Sequence, residues 1–224
     1  IFLFKSLNKN GLWRVKQQLR ERLFEIVLTL KTDNQTFSSL KKNYFIALKH
    51  FTVAEYLSKN GFLMTAIPIL EKTINLAIKI DYTELIFLTS RPLYQYYAIE
   101  MQSKQKFKKY QKLYVKSIEI MRYEMMARDY YIQLSHLTLN NLSNSKIFRN
   151  KLIEYSDKLN SINIEINSYI FRFNKYAIDS TKYFVFRRYD LVLKNAQEAI
   201  LFFQQKPFST FLITFSFTTD LIFS

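Results

Sequence analysis

The chain has 224 residues, 49% of them hydrophobic with 21 Phe and 16 Tyr, enough for one large domain or one continuous solenoid around a substantial core. Two Gly and three Pro starve the tight turns that sandwiches, barrels and doubly wound α/β folds consume, which argues against those classes and for an all-α fold. A formal charge of +15 admits an anionic partner, while the absence of cysteine removes disulfides, thiolate metal sites and cysteine nucleophiles.

The charge has two readings. Clustered Lys and Arg release counterions from a phosphate backbone and are attracted to an anionic membrane surface. A chain rich in Lys, Asn, Ile, Phe and Tyr also carries the residue bias of an AT-rich genome, where lysine is the default surface residue. The lack of cysteine suits the cytoplasm. No run of about 20 apolar residues occurs, so no membrane span is expected. Ile1-Phe2-Leu3-Phe4-Lys5 reads as an internal start, as in a fragment of a longer chain.

In chain order, Leu12, Val15, Leu19, Leu23, Ile26 and Leu30 recur at helical spacing, and Thr32-Asp33-Asn34 breaks that helix. Thr36 or Ser38 is placed to cap a long helix ending at Asn60, which Gly61 closes in a left-handed cap. The next helix spans about Leu63 to Ile80 with Pro68 near its first turn. Asp81 and Thr83 are placed to cap a helix towards Met101, which Pro92 should kink or split near Ser90. Helices follow at about 107–126 and 130–139. The polar loop 140–145 separates a better-patterned part, 11–139, from a less regular part, 146–206. The latter reads as helices near 146–159, 163–178 and 182–205, stopped by Pro207. The Phe-, Thr- and Ile-rich tail 207–224 favours extended structure and is left as a tail of uncertain form.

A shift of 44 residues pairs Ala54 with Ala98, Leu57 with Met101, Gly61 with Gln105, Leu63 with Phe107, Ala66 with Tyr110, Leu70 with Tyr114 and Thr73 with Ser117. Arg187, among Tyr183, Tyr189, Val192, Ala196 and Ala199, fills the turn of a weaker third copy. The order Ala54, Leu57, Gly61, Leu63, Ala66, Leu70, Thr73 resembles the tetratricopeptide repeat over about 47–80, with degenerate copies at 91–122 and 176–207. The 44-residue period exceeds the family's 34, Tyr110 replaces a small residue and Gln105 replaces the turn glycine. The resemblance implies antiparallel helical hairpins stacked as a tetratricopeptide-like α-solenoid, one domain over 1–206, whose inner helices present a groove for a peptide or protein segment. Lys49, Thr52, Glu55 and Tyr56, on a first helix of a hairpin, are the expected partner surface.

Chemistry finds little to stand on. His50 and His136 lack the spacings of helical metal sites, so no metal is inferred. Glu119, Glu124 and Asp129, five residues apart, do not share one helical face, and two glycines cannot build a phosphate-cradling loop. No enzyme and no cofactor are expected. Segment 104–116 holds six lysines and no acid: Phe107, Tyr110, Tyr114 and Ile118 are expected on one face, and Lys104, Lys108, Lys109, Lys112 and Lys116 form a candidate basic surface. A second aromatic-basic run, 169–189, is read either as a groove lining or as core. The leading expectation is a non-catalytic protein-interaction scaffold. The alternatives are a nucleic-acid-binding helical protein using its lysine faces, and a regulatory or sensor domain of a longer chain.

Overall fold

The computed structural model describes residues 13–20, 22, 39–101, 103–140, 142, 145–162 and 166–205, and every regular element among them is an α-helix. Helix α1 covers residues 13–20. It is followed by α2 (Ser39–Lys59), α3 (Leu63–Lys79), α4 (Thr83–Ile99), α5 (Lys104–Leu139), α6 (Lys146–Asn160), α7 (Tyr169–Val185) and α8 (Tyr189–Gln204). The expectations for the first helix beyond residue 22, the break at 32–34, the caps Thr36 and Ser38, and the tail 207–224 lie outside the described residues.

From α2 to α5 each helix packs on the next, and α5 then packs on both α6 and α7, with α8 against α7. In α3 the buried residues Ala66, Ile67, Leu70, Thr73, Ile74 and Ala77 recur at three- and four-residue steps, the signature of one buried face. Completely buried Ala54 and Ala66 sit in the same core as Leu70, Leu93, Tyr97 and Tyr110, which joins α2, α3, α4 and the first half of α5. A second core joins the other half of α5, through Ala127 and Leu134, to Leu152 and Leu159 of α6 and Phe171 and Ile178 of α7.

Helix α5 is the shared spine. Two helices were expected here, but 104–139 contains neither Gly nor Pro, and its buried residues Tyr110, Ser117 and Glu124 recur every seven residues, with Ala127 and Leu134 continuing the seam. A seven-residue spacing keeps one seam facing its neighbours over many turns, so nothing at 127–129 interrupts the helix. Inward-facing Leu113, Tyr114 and Ser117 define that side, and Ile118, expected among the core aromatics, is exposed instead.

Pro92 does not split α4. The ring removes the amide donor to the Leu88 carbonyl, and in the turn before it the Thr89 hydroxyl donates to the Leu85 carbonyl at 2.6 Å and the Ser90 hydroxyl to the Phe87 carbonyl at 3.2 Å. Pro68 lies in the second turn of α3 rather than the first. Helices α6 and α7 start on serine caps: Ser145 accepts from the Phe148 amide at 3.1 Å and Ser168 from the Phe171 amide at 3.4 Å. Helix α7 runs on through Lys182, so the α7–α8 turn falls at 186–188 and not near 180.

Gly61 has φ +83, and the Phe62 amide donates back to the Leu57 carbonyl at 2.9 Å, closing the Schellman turn that ends α2. Asp81 (φ +54) and Arg187 (φ +56) repeat it, with Tyr82 bonded to Ala77 at 2.9 Å and Arg188 to Tyr183 at 2.8 Å. The 44-residue superposition is therefore not followed at its second copy. Gln105 is the second residue of α5 and not a turn, and Ala98 is exposed where Ala54 is buried. Nothing lies within 4 Å of a Cβ added to Gly61, so Gly61→Ala should lose only backbone energy, about 1 kcal/mol. Arg187→Gly should conversely gain up to about 1 kcal/mol by relieving the same strain. Urea denaturation checks both, and unchanged midpoints would show that the turns carry no strain.

Candidate functional site

The residues of α2 that alternate away from buried Ala47 and Ala54 form its outward face: Phe45, Lys49, Thr52, Val53 and Tyr56, at steps of three and four. Tyr56 is 68% exposed and Val53 50% exposed. Half-buried Lys49 and exposed Thr52 precede them by one turn, the Thr52 hydroxyl donating to the Leu48 carbonyl at 3.0 Å. Glu55 stands at the edge of this face and pairs with Lys59 at 3.9 Å. Of the four residues expected as a partner surface, Thr52, Glu55 and Tyr56 are thus exposed on one helix and Lys49 is half-buried beside them. Phe45 and Val53 were missed, although their spacing from Lys49 and Tyr56 signals them.

All five lysines of the expected basic surface, Lys104, Lys108, Lys109, Lys112 and Lys116, are exposed on α5. None forms an ion pair among the described residues; Lys109 lies 5.2 Å from the Tyr110 ring centre. The aromatics of the same segment turn inward. Tyr114 stacks on Phe87 at 5.3 Å, and Phe107 meets Tyr94 at 6.2 Å. They are committed to the α4–α5 interface and present no face to a nucleic-acid base.

Lys106 parts from the other lysines. Its ammonium donates to Glu71 at 3.0 Å and to the Tyr97 hydroxyl at 2.9 Å, and sits 4.6 Å from the Tyr97 ring centre. Tyr97 and Tyr110, stacked at 5.7 Å, each donate to the same Glu71 oxygen at 2.9 Å. Burial pushes the Glu71 carboxyl up, but the bonds from Lys106, Tyr110 and Tyr97 outweigh it and hold the group below its usual range. Burial, together with the Glu71 charge, pushes both phenols up. The cluster closes the edge of the first core with every polar atom of the two phenols engaged. Its members come from three helices, and no sequence spacing announces it.

A second buried polar group ties the middle of α5 to the starts of α4 and α7. Glu124, in the middle of α5, accepts hydrogen bonds from Thr83 at the start of α4 (2.7 Å) and from Ser168, the cap of α7. Nearby, the Tyr169 amide donates to Asp81 at 3.2 Å. Burial is the main influence and pushes the Glu124 carboxyl up, with Asp81 adding to it, while Ser168, Thr83 and Arg128 pull the other way. Asp81 and Thr83, expected as helix caps, serve instead as tertiary contacts; α4 is preceded by Tyr82, which makes no side-chain cap. Glu119 and Asp129 are exposed and stand apart from Glu124.

In the 169–189 run, Phe171 is buried, Tyr176 packs on Phe202 and Phe203 of α8, and Arg172 covers Phe202 at 5.6 Å. That run packs as core up to Tyr183, whereas Phe184, Phe186, Arg187, Arg188 and Tyr189 at its end are exposed. The Nδ1 of His50 is buried without a hydrogen-bond partner among the described residues, and His136 is exposed beside Asn140. No group of three or more His, Asp or Glu residues able to hold a metal occurs among the described residues. A cavity of about 20 Å³ between α5, α6 and α7, walled by Tyr131, Ser135, Thr138 and Thr181, has room for one water. Among the described residues no helix is long and apolar enough to cross a membrane.

Compared with known proteins, the chain matches no family model, no curated protein and no solved structure.

Proposed function

We propose that this chain is a non-catalytic protein-interaction scaffold that holds a peptide or protein segment against α2, with the α2–α3 pair as a tetratricopeptide-like hairpin at its centre. The observation that carries the reading is the amphipathic split of α2. Small Ala47 and Ala54 let the helix approach α3 closely, while Val53 and Tyr56 stand outward among polar side chains. Exposed aromatic and aliphatic residues flanked by polar ones are the usual anchors of a helical docking face. The short α2–α3 turn at Gly61 and the paired alanines Ala54 and Ala66 support the hairpin reading.

Affinity capture from the source cells, using the wild-type chain and a Val53→Glu/Tyr56→Ala variant, tests this. The captured material is treated with nuclease and with protease separately. A protein retained after nuclease treatment and lost with the variant is the expected result. Captured material that disappears with nuclease alone, or that the variant retains in full, would overturn it. Both substitutions are on exposed positions, so the variant's helical circular dichroism should match the wild type.

A further inference from the structure

The α2 face leaves a separate surface unexplained. Lys104, Lys108, Lys112 and Lys116 follow one another at intervals of four on α5. A rise of about 1.5 Å per residue spaces their backbones about 6 Å apart, along a ridge of about 18 Å. Lys109 flanks it, and no acid lies between Ser103 and Ile118. Lys106, two residues from Lys104 and Lys108, falls on the other side of the helix, where it pairs with Glu71. Beside the ridge an exposed apolar pair, Val115 (58% exposed) and Ile118 (44% exposed), forms a narrow seam.

We propose that this face of α5 docks an acidic amphipathic helix of a partner protein, its carboxylates meeting the lysine ridge and its aliphatic residues covering Val115 and Ile118. Charge complementarity names the sign of the partner, and the seam narrows its chemistry. A phosphate backbone gains nothing by covering two aliphatic side chains, and the segment's aromatics are already packed against α4, which removes base stacking. A bilayer-bound helix carries cations on both sides of its apolar stripe. Here the lysines flank the seam on one side, Arg122 ends it one turn beyond Ile118, and Glu119 sets an exposed acid beside it. An acidic helix with carboxylates every fourth residue matches both the spacing and the one-sided seam.

Three labelled or vesicle-borne probes test the proposal on the full chain. They are a synthetic helix of about 18 residues with Glu at every fourth position beside a Leu row, a DNA duplex of about 20 base pairs, and phosphatidylserine vesicles. The peptide should bind tightest. Lys108→Glu/Lys112→Glu/Lys116→Glu should weaken it at least about tenfold, while a control of equal charge change, Lys72→Glu/Lys79→Glu/Lys194→Glu, should weaken it less than about threefold. Val115→Ser/Ile118→Ser should also weaken the peptide and leave duplex binding unchanged. Equal loss in the two lysine triples, tighter binding of the duplex or vesicles, or indifference to the Val115/Ile118 change would each overturn it. Failure here leaves the α2 reading standing, because none of these substitutions touches α2.

Discussion

Replacing Glu124 by alanine should destabilise the chain by about 2–4 kcal/mol, whereas Glu124→Gln should cost little near neutral pH. Alanine strands the hydroxyls of Thr83 and Ser168 in a buried site and opens a gap among α4, α5 and α7, and each unsatisfied buried polar group costs about 1–3 kcal/mol. Glutamine keeps an acceptor for both hydroxyls and removes a charge that burial disfavours. The sign of the pH dependence follows from the raised carboxyl. In the unfolded chain Glu124 titrates near its ordinary value of 4.5, while in the folded chain it holds its proton to higher pH. Its protonated form therefore contributes stability in full below 4.5, and that contribution is lost as pH rises through the folded value. Urea denaturation at several pH values from about 4 to 7 should show the glutamine variant gaining on the wild type as pH rises. Parallel curves for the two proteins would refute the account.

The second large effect is expected at Asp179 on α7, which lies only 2% exposed. Its carboxylate pairs with Lys175 at 2.9 Å and accepts from Ser156 at 2.6 Å and Asn160 at 3.2 Å, both on α6. Lys175 also donates to Asn160, and Lys182 ties Ser156 and Asp157 into the same seam, at 3.1 and 2.7 Å. Removing one partner of a buried ion pair leaves the other charge uncompensated, which typically costs about 3–5 kcal/mol. Asp179→Ala should therefore lower Tm on the order of 10 °C. Asp179→Asn/Lys175→Met, which removes both charges and keeps an acceptor for Ser156 and Asn160, should restore much of the loss. A single variant that melts within a degree or two of wild type, or a double variant worse than the single, would show that the network does not join α6 to α7.

These two carboxylates also mark the limit of what residue spacing conveys. Glu124 was one of three acids at five-residue intervals, and that interval correctly separated it from Glu119 and Asp129. Its partners Thr83 and Ser168 lie about 40 positions away on either side, so no local pattern brings the three together. Asp179 and Lys175, four apart, are a readable pair, but their burial depends on how α6 crosses α7. The lysine row and the α2 face were legible because each is the solvent side of a single amphipathic helix, where period and exposure are one property. The Glu71–Tyr97–Lys106–Tyr110 cluster was not, since it exists only where α3, α4 and α5 meet.

Local chemistry determined the helical class, the left-handed turn at Gly61, the four-residue lysine spacing and most helix boundaries before Met101. Each of these rests on backbone propensity, helical period or the conformational freedom of one residue. Tertiary structure decided that 104–139 is one helix, that Asp81 and not Gln105 takes the next left-handed turn, and that Ala98 faces solvent. These turn on which seam of each helix finds a neighbour. A propensity difference of a few tenths of a kcal/mol per residue yields to the burial of whole side chains, each contributing about 1.5–3 kcal/mol.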